Sequence, residues 1–467
     1  MGYIRFDVDK IKDFVFESYK PVEVTGASEM IKLLDEGGPI LEKLKTHFKD
    51  PEAKVVYARG GGGLMRVSQR EKDICHWLQE EYAETVKGGK LTAVHSKAAD
   101  DFPITYALLN YKLRELKNQK VLLRPPEKTV KFAKEDSQRR CSACGKRKAK
   151  EKIEVSPGEE LHYCEVCLKK RLEGQKQKDK KKAVNTLEDL LTSIPGVKDS
   201  TYMLMIYGDL NKAGDLFASM EKEDDLRNLS KQIFETLEKA REDMGKKLWE
   251  RGFKSLMPVA GGDDLIIFIH PAAFGLIKDE LFNLEQKLDD ATGKELKMNF
   301  SFLVAKQNFP IYHLFQTSEI LLKETKKKYY QKEDNDDSFY GFIWLEEGGF
   351  RPSGKDVYQK EEFKTLCHFA QKIHINNDIS TSTLHQLLDL LPITEDEKEK
   401  NHSKPEEQFN IAYLLARNDA LDKMLIRDDE GYRIKEEKDL KVTRDLWEDV
   451  IDMKELFMDH TNKEKAE

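Results

Sequence analysis

Two distant stretches of the chain follow one pattern. YIRFDVDKIKDFVF begins at residue 3, and LMIYGDLNKAGDLF begins at residue 204. With Asp7 set on Asp209, Asp9 meets Asn211, Lys10 meets Lys212 and Asp13 meets Asp215, while Phe16 and Phe217 agree with a slip of one residue. Each copy is a short apolar run that reads as a strand and then enters a helix. The match continues: VVYARGGGGLMRV (55–67) parallels LMPVAGGDDLIIFI (256–269), both of them strand, glycine-rich turn and strand. In this alignment Gly62-Gly63 stands where the second copy has Asp263-Asp264. An internal repeat constrains the fold more than any single motif, because each copy must form the same supersecondary unit.

The second copy can be read further. Residues 218–250 carry helical spacing, then come the GGDD hairpin and the helix-like AAFGLIKDELFNLEQKL. Strand-like MNFSFLVA (298–305), helix-like YHLFQTSEILLKETKKK (312–328) and strand-like FYGFIWL (339–345) follow. The predicted fold class is α+β: two ferredoxin-like βαββαβ units, the plan of nucleotide-polymerase palms, with a zinc-binding insertion between them and a helical C-terminal domain. The expected boundaries are 1–125 for a first, degenerate palm, 126–198 for the cysteine and basic region, 199–350 for the second palm and 351–467 for the helical domain. Within that last domain the polar stretch 394–408 is expected to be an exposed loop.

In MPVAGGDDLIIFIH (257–270) like charges crowd against a segment that reads as buried. On the predicted sheet the first strand lies beside this hairpin, so Asp209 approaches Asp263 and Asp264. Three carboxylates around one point repel one another unless a cation sits there, and oxygen donors of this kind suit Mg²⁺ or Mn²⁺. Gly261 and Gly262 would leave room for a nucleotide to approach the backbone. Lys326 could reach a triphosphate, or be a solvated lysine in a run of three. Ser301, Tyr202, Tyr207 and Tyr340 are candidates for the pocket wall, with core or rim as the plainer reading. The plain alternative for the whole cluster is an acidic hairpin tip with Asp209 as a helix cap.

Four of the six cysteines, Cys141, Cys144, Cys164 and Cys167, form C-x2-C, nineteen residues, C-x2-C. That spacing predicts a closed four-thiolate Zn²⁺ site, which is structural. Cys75 and Cys367 lie on helical patterns and read as core. The net charge of −7 argues against a chain that is basic throughout. Yet residues 139–152 carry seven Lys/Arg against one acid, and 169–182 carry eight against two. These runs flank the cysteines and suit either a solvated surface or phosphate contact. No apolar run approaches the ~18 residues of a membrane span. The first residues show neither a signal-peptide pattern nor the Ser/Thr of a myristoylation signal, so a cytoplasmic protein is expected.

The order of these parts resembles the large palm-domain subunit of type III CRISPR effector complexes, the cyclic oligoadenylate synthases. FDVDKIKDFVF is similar to that family's first-palm opening, GDLNKAGDLF to its second-palm first strand and VAGGDDLIIFI to its signature hairpin. The four cysteines lie between the palms as they do there. MNFSFLVAKQNFPI with SEILLKETKKK resembles the strand and helix that close the palm, and TSTLHQLLDLL with EEQFNIAYLLARN the helical tail. The resemblance implies an ATP-dependent synthase of cyclic or linear oligoadenylates, gated by RNA, with other CRISPR-type effector subunits as partners and no membrane association. It also marks departures. No His-Asp dipeptide occurs, so the family's N-terminal nuclease is not expected. Asn211 replaces an acid often found there, which leaves the first strand with one metal ligand. Two other readings stay open: a palm scaffold whose acids are unused, and a diguanylate cyclase, whose hairpin would normally carry Glu at Asp264.

Overall fold

A computed structural model describes residues 1–50, 52–99, 101–122, 139–156, 158–176, 184, 186–191, 200–258, 262–331, 337–346, 349–350 and 356–375, and toward the C-terminus 383–384, 386, 425–428, 431–434, 437–441, 449–451, 453 and 456. The first unit runs β1 (Gly2–Val8), α1 (Ile11–Val15), α2 (Pro21–Lys32), α3 (Pro39–Phe48), β2 (Lys54–Arg59), β3 (Gly62–Val67), α4 (Glu71–Thr85), β4 (Leu91–Lys97) and α5 (Phe102–Leu122). Its sheet order is β2-β3-β1-β4, with every pairing antiparallel. Pro21 and Pro39 each occupy the first turn of a helix, where the missing N–H does no harm.

A small module follows, with β5 (Glu151–Ser156), β6 (Glu159–Tyr163) and α6 (Glu165–Lys176). It is docked on the first unit. Helix α6 crosses α2 where both lack side chains: a Cβ built on Gly26 would lie 1.7 Å from the Lys170 carbonyl oxygen, and one on Gly174 2.0 Å from that of Val22. Around this crossing the fully buried Lys170 pairs with Glu17 at 3.3 Å and donates to the Phe14 carbonyl at the end of α1. Arg147 reaches Glu17 at 2.8 Å, and Arg171 reaches Glu23 at 3.1 Å.

The second unit runs β7 (Tyr202–Leu210), α7 (Ala213–Ala218), α8 (Glu223–Glu250), β8 (Ser255–Leu256), β9 (Asp264–Ile269), α9 (Phe274–Phe282), α10 (Leu284–Thr292), β10 (Met298–Lys306), α11 (Ile311–Gln331) and β11 (Phe339–Glu346). The order β10-β7-β9-β8 repeats that of the first sheet. Beyond it β11 adds in parallel to β10 through the crossover helix α11, and the short β12 (Gly349–Phe350) and β13 (Val357–Gln359) pair with β11. Helix α8 buries Leu226, Leu229, Ile233, Leu237, Ala240, Met244 and Leu248, a spacing of three and four that makes one apolar stripe.

The repeat holds at the level of backbone angles. Lys10 and Lys212, at the strand-to-helix turns, have φ of 53° and 54°. The two units also share their cores. Leu204 and Ile206 on one face of β7 join Tyr57 and Leu64 of the first unit. Met203, Met205 and Tyr207 on the other face join Phe6 and Phe16, and Phe16 stacks on Phe315 at 4.4 Å. Glu223, at the start of α8, accepts bonds from Tyr3 (2.9 Å), Lys54 (2.9 Å) and Arg66 (3.2 Å) of the first sheet.

Past β13, α12 (Lys360–Ile375) is helical as expected. The described residues further on also include a three-stranded antiparallel sheet of Leu425–Asp428, Gly431–Ile434 and Glu437–Lys441, so this region is not helical throughout. The helical reading overlooked the polar stretch DDEG ending at Gly431, a turn signal between LIR and YRI. The 394–408 loop lies outside the described residues.

Candidate metal and nucleotide site

Strands β7 and β9 run antiparallel in a register that sets Asp209 opposite Asp264, so the two carboxylates are neighbours at one end of the sheet. Asp263 precedes β9 at the hairpin tip. Strand β9 starts at Asp264 because Leu265 to Ile269 are buried, which leaves the two acids at the mouth of an apolar strand. Burial, then the neighbouring Asp264, holds the Asp209 carboxyl up at about 6. Burial, then Asp264 and Asp209, raises Asp263 to about 7. Two groups that resist ionisation beside a third form a donor set that a divalent cation would relieve, so the residues fit Mg²⁺ or Mn²⁺ by their chemistry.

Two lysines face these acids. Lys326, on α11, pairs with Asp209. Lys12, on α1 of the first unit, lies 3.1 Å from Asp264 and is also hydrogen-bonded to Tyr207, whose hydroxyl donates to Asp264 at 2.9 Å. Burial works against the Lys12 charge, but Asp264, Asp209 and Asp263 outweigh it and leave its pKa raised. Among the described residues only the four cysteines bring metal-ligating atoms together into a ready group; two of the aspartates are turned to lysines instead.

A cleft of about 530 Å³ opens between the two units at this point. Gly262, Asp263, Asp264, Gly214, Phe217 and Phe234 line one side, and Arg5, Asp7, Lys10, Lys12, Tyr57 and Arg59 the other. One wall thus carries the acid pair, and the other carries four cations, an aromatic ring and Asp7. Arg59 sits over the Phe234 ring at 4.5 Å and so spans the gap.

The sequence-predicted residues fare differently. Asp209 and Asp264 meet in register, with Asp263 beside them. Gly262 lines the cleft, where an added Cβ would stand 3.7 Å from the Arg59 carbonyl oxygen. Gly261 lies outside the described residues. Lys326 reaches the site, but as the partner of Asp209. Ser301 does not line the cleft: it is fully buried, with its hydroxyl 2.6 Å from that of Ser318 under α11. Asn211 is buried and donates to Asn299 at 3.0 Å, so the first strand offers one carboxylate.

The first unit shows the same frame without the acids. Asp7 faces Gly62 and pairs with Lys117 on α5, as Asp209 faces Asp264 and pairs with Lys326 on α11. This register corrects the alignment by one residue. Gly61-Gly62, not Gly62-Gly63, is the counterpart of Asp263-Asp264. Gapless matching of two glycine-rich turns cannot resolve one residue, whereas the ladder does. Lys12 was missed by sequence reasoning. Its signal was available: the repeat sets it against Gly214, which is no cation.

The cysteine site is closed. All four are buried and their sulfurs lie within 4.8 Å of one another. The turn after Cys141 closes at Gly145 (φ 64°), whose N–H donates to the Cys141 carbonyl at 2.9 Å. Hydrogen bonding from Cys141 and the other two thiols holds Cys144 well below the ordinary thiol value. Four buried cysteine sulfurs brought together in this way fit Zn²⁺ by their chemistry. No helix among the described residues is long and apolar enough to cross a membrane.

These features define a class: tandem ferredoxin-like units bearing acids on one hairpin, with a four-cysteine module docked on the first unit. No protein-family model matches the sequence, and no curated protein does. Among solved structures the fold is that of Csm1. It is similar to Csm1 of T. onnurineus at a TM-score of 0.61 and 15% identity, over 98% of this chain and 69% of that one. The Csm1–Csm4 subcomplex of the type III-A CRISPR-Csm interference complex gives 0.62 and 16%, over 98% and 70%. A Csm1–Csm4 cassette in complex with cA4 gives 0.62 and 15%, again over 98% and 70%. At such identity the likeness establishes the fold.

Proposed function

We propose that this chain is a metal-dependent nucleotidyltransferase that joins ATP into cyclic or linear oligoadenylate messengers, as a palm subunit of a type III CRISPR-like effector in the cytoplasm. The observation that carries the reading is the register pairing of Asp209 with Asp264, beside Asp263, at the edge of an inter-unit cleft. The reading is also supported by the fold likeness to Csm1 structures, whose complexes hold cA4, pppApA and one ATP.

In this reading Asp209, Asp263 and Asp264 hold Mg²⁺ or Mn²⁺. Such ions, when bound, activate a ribose hydroxyl and neutralise charge on the α-phosphate and leaving pyrophosphate. The chain's own contribution is position and charge. Arg5, Lys10 and Arg59 face the acid wall and would bind triphosphate oxygens. The glycine turn at Gly262 keeps side chains off the hairpin, and Phe217 and Phe234 offer apolar surface to a base. Asp7 opposite Gly62 lacks the second carboxylate, so the first unit binds and orients but does not catalyse. The domain division follows the repeat: 1–125 as first palm, 126–198 as zinc module and basic linker, 199–350 as second palm and 351–467 as C-terminal domain. Target RNA and partner subunits would gate the reaction.

One observation favours a second reading, a silent palm scaffold: Asp209 and Asp264 are both already paired with lysines. The test is incubation of the chain, alone and with partner subunits and target RNA, with each NTP and Mg²⁺ or Mn²⁺, followed by mass analysis. Oligoadenylate from ATP supports the enzyme. No product from any NTP in the assembled complex leaves the scaffold.

A further inference from the structure

Lys12 belongs to the first unit, yet its ammonium group serves the second. It stands at the start of α1, 3.1 Å from Asp264, and is hydrogen-bonded to Tyr207 with its charge 4.9 Å from that ring's centre. The Asp264 side chain is only 4% exposed, and the Lys12 side chain 29%. The other lysine in the cluster, Lys326, contacts an acid of its own unit, and the first unit repeats that arrangement as Lys117 with Asp7. It is part of the shared frame. Lys12 is not: the register that equates Asp7 with Asp209 equates Lys12 with Gly214, which carries no charge. The lysine is also held in place, because the end of α1 is fixed by the buried Lys170 of the zinc module through the Phe14 carbonyl.

We propose that Lys12 is a built-in counter-ion for the acid pair, a cross-unit latch that a divalent ion must displace from Asp264 before the site can load. Lys12 and Tyr207 both donate to the same Oδ1 of Asp264, which occupies both of that oxygen's lone pairs, so a metal ion can take it only by displacing a donor. Metal affinity is therefore set partly by the first unit, which gives any event that shifts α1 control over loading. This rests on the metal-dependent reading of the site, and the test separates the two.

Mn²⁺ binding to the full-length, zinc-loaded chain is measured without nucleotide by the paramagnetic resonance signal of free Mn²⁺, for the native protein, Lys12→Gln, Lys12→Arg and Asp263→Asn with Asp264→Asn. The expected result is that Lys12→Gln binds Mn²⁺ about tenfold more tightly, the worth of one hydrogen bond to a charged group. Lys12→Arg keeps the charge and stays near native affinity, and the double aspartate variant loses binding. Should the glutamine variant fold poorly, Lys12→Met retains the stem and gives the same comparison. A second readout is the rise in unfolding temperature on adding Mn²⁺, which should be larger without the lysine. Equal or weaker binding by Lys12→Gln, with binding still lost in the double variant, overturns the latch and leaves the metal site standing. Mn²⁺ bound equally by the double variant, or by none of these proteins, overturns the metal reading and the latch together.

Discussion

Asp263→Asn should make the metal-free protein more stable while destroying the site. The carboxyl is raised from an ordinary 3.8 to about 7, first by burial and then by Asp264 and Asp209. Between about pH 4 and pH 7 the folded chain therefore holds a proton that the unfolded chain has released. Stability falls as pH rises through that window and levels off above it. The full shift corresponds to about 4 kcal/mol. Lys12 offsets part of it and the three acids share one repulsion, so a value of about 2 kcal/mol is expected for this site alone. Asparagine has no charge to bury, so the variant should match the native protein near pH 4 and exceed it by that amount at pH 8. For units of this size the gain is about 5 °C in unfolding temperature. The assay is thermal and urea unfolding from pH 4 to 8 in buffer without added divalent ions. Added Mn²⁺ should then stabilise the native protein and leave the variant unmoved. A variant no more stable than native at pH 8, or one that gains equally from Mn²⁺, would refute the argument that these acids are crowded to receive a cation.

Other outcomes follow from the same geometry. Asp263→Asn with Asp264→Asn should abolish nucleotide joining with the fold intact, because several kcal/mol of charge stabilisation are lost at about tenfold in rate per 1.4 kcal/mol. Asp7→Asn, where the facing hairpin offers Gly62 in place of an acid, should cost far less product in the same assay, and equal losses would refute a single active unit. Metal analysis should find about one Zn²⁺ per chain, and Cys164→Ser should release it and open the module to proteolysis, since such binding is also folding energy. Lys170→Met should cost about 3 kcal/mol in chemical unfolding, because Glu17 and the Phe14 carbonyl lose a buried cation.

Much of this was legible from local pattern. The two βαββαβ units could be read because strand and helix periodicities recur in matching order, and the cysteine spacing announced its own cluster. Asp209, Asp263 and Asp264 stood out because acids beside a buried strand need a reason. The failures have a common cause. Ser301 sits on a strand whose two faces look alike in sequence, and only packing put α11 over it. The one-residue error at Gly62-Gly63 arose because glycines carry no facing signal. The strands after residue 425 were absorbed into a helical reading by their neighbours.

The chain's sequence by itself determined the repeated unit, the acids at the second hairpin, the glycines at the first and the thiolate cluster between them. Each of these depends on residues close together along the chain, where spacing dictates which side chains share a face. Tertiary structure alone decided that Lys12 crosses to Asp264, that Lys117 and Lys326 answer Asp7 and Asp209, and that the four-cysteine module is clamped through Gly26, Gly174 and a buried ion-pair network. Those contacts join residues far apart in sequence, and their partners are chosen by strand register and by the docking of two shared cores, which no local periodicity encodes.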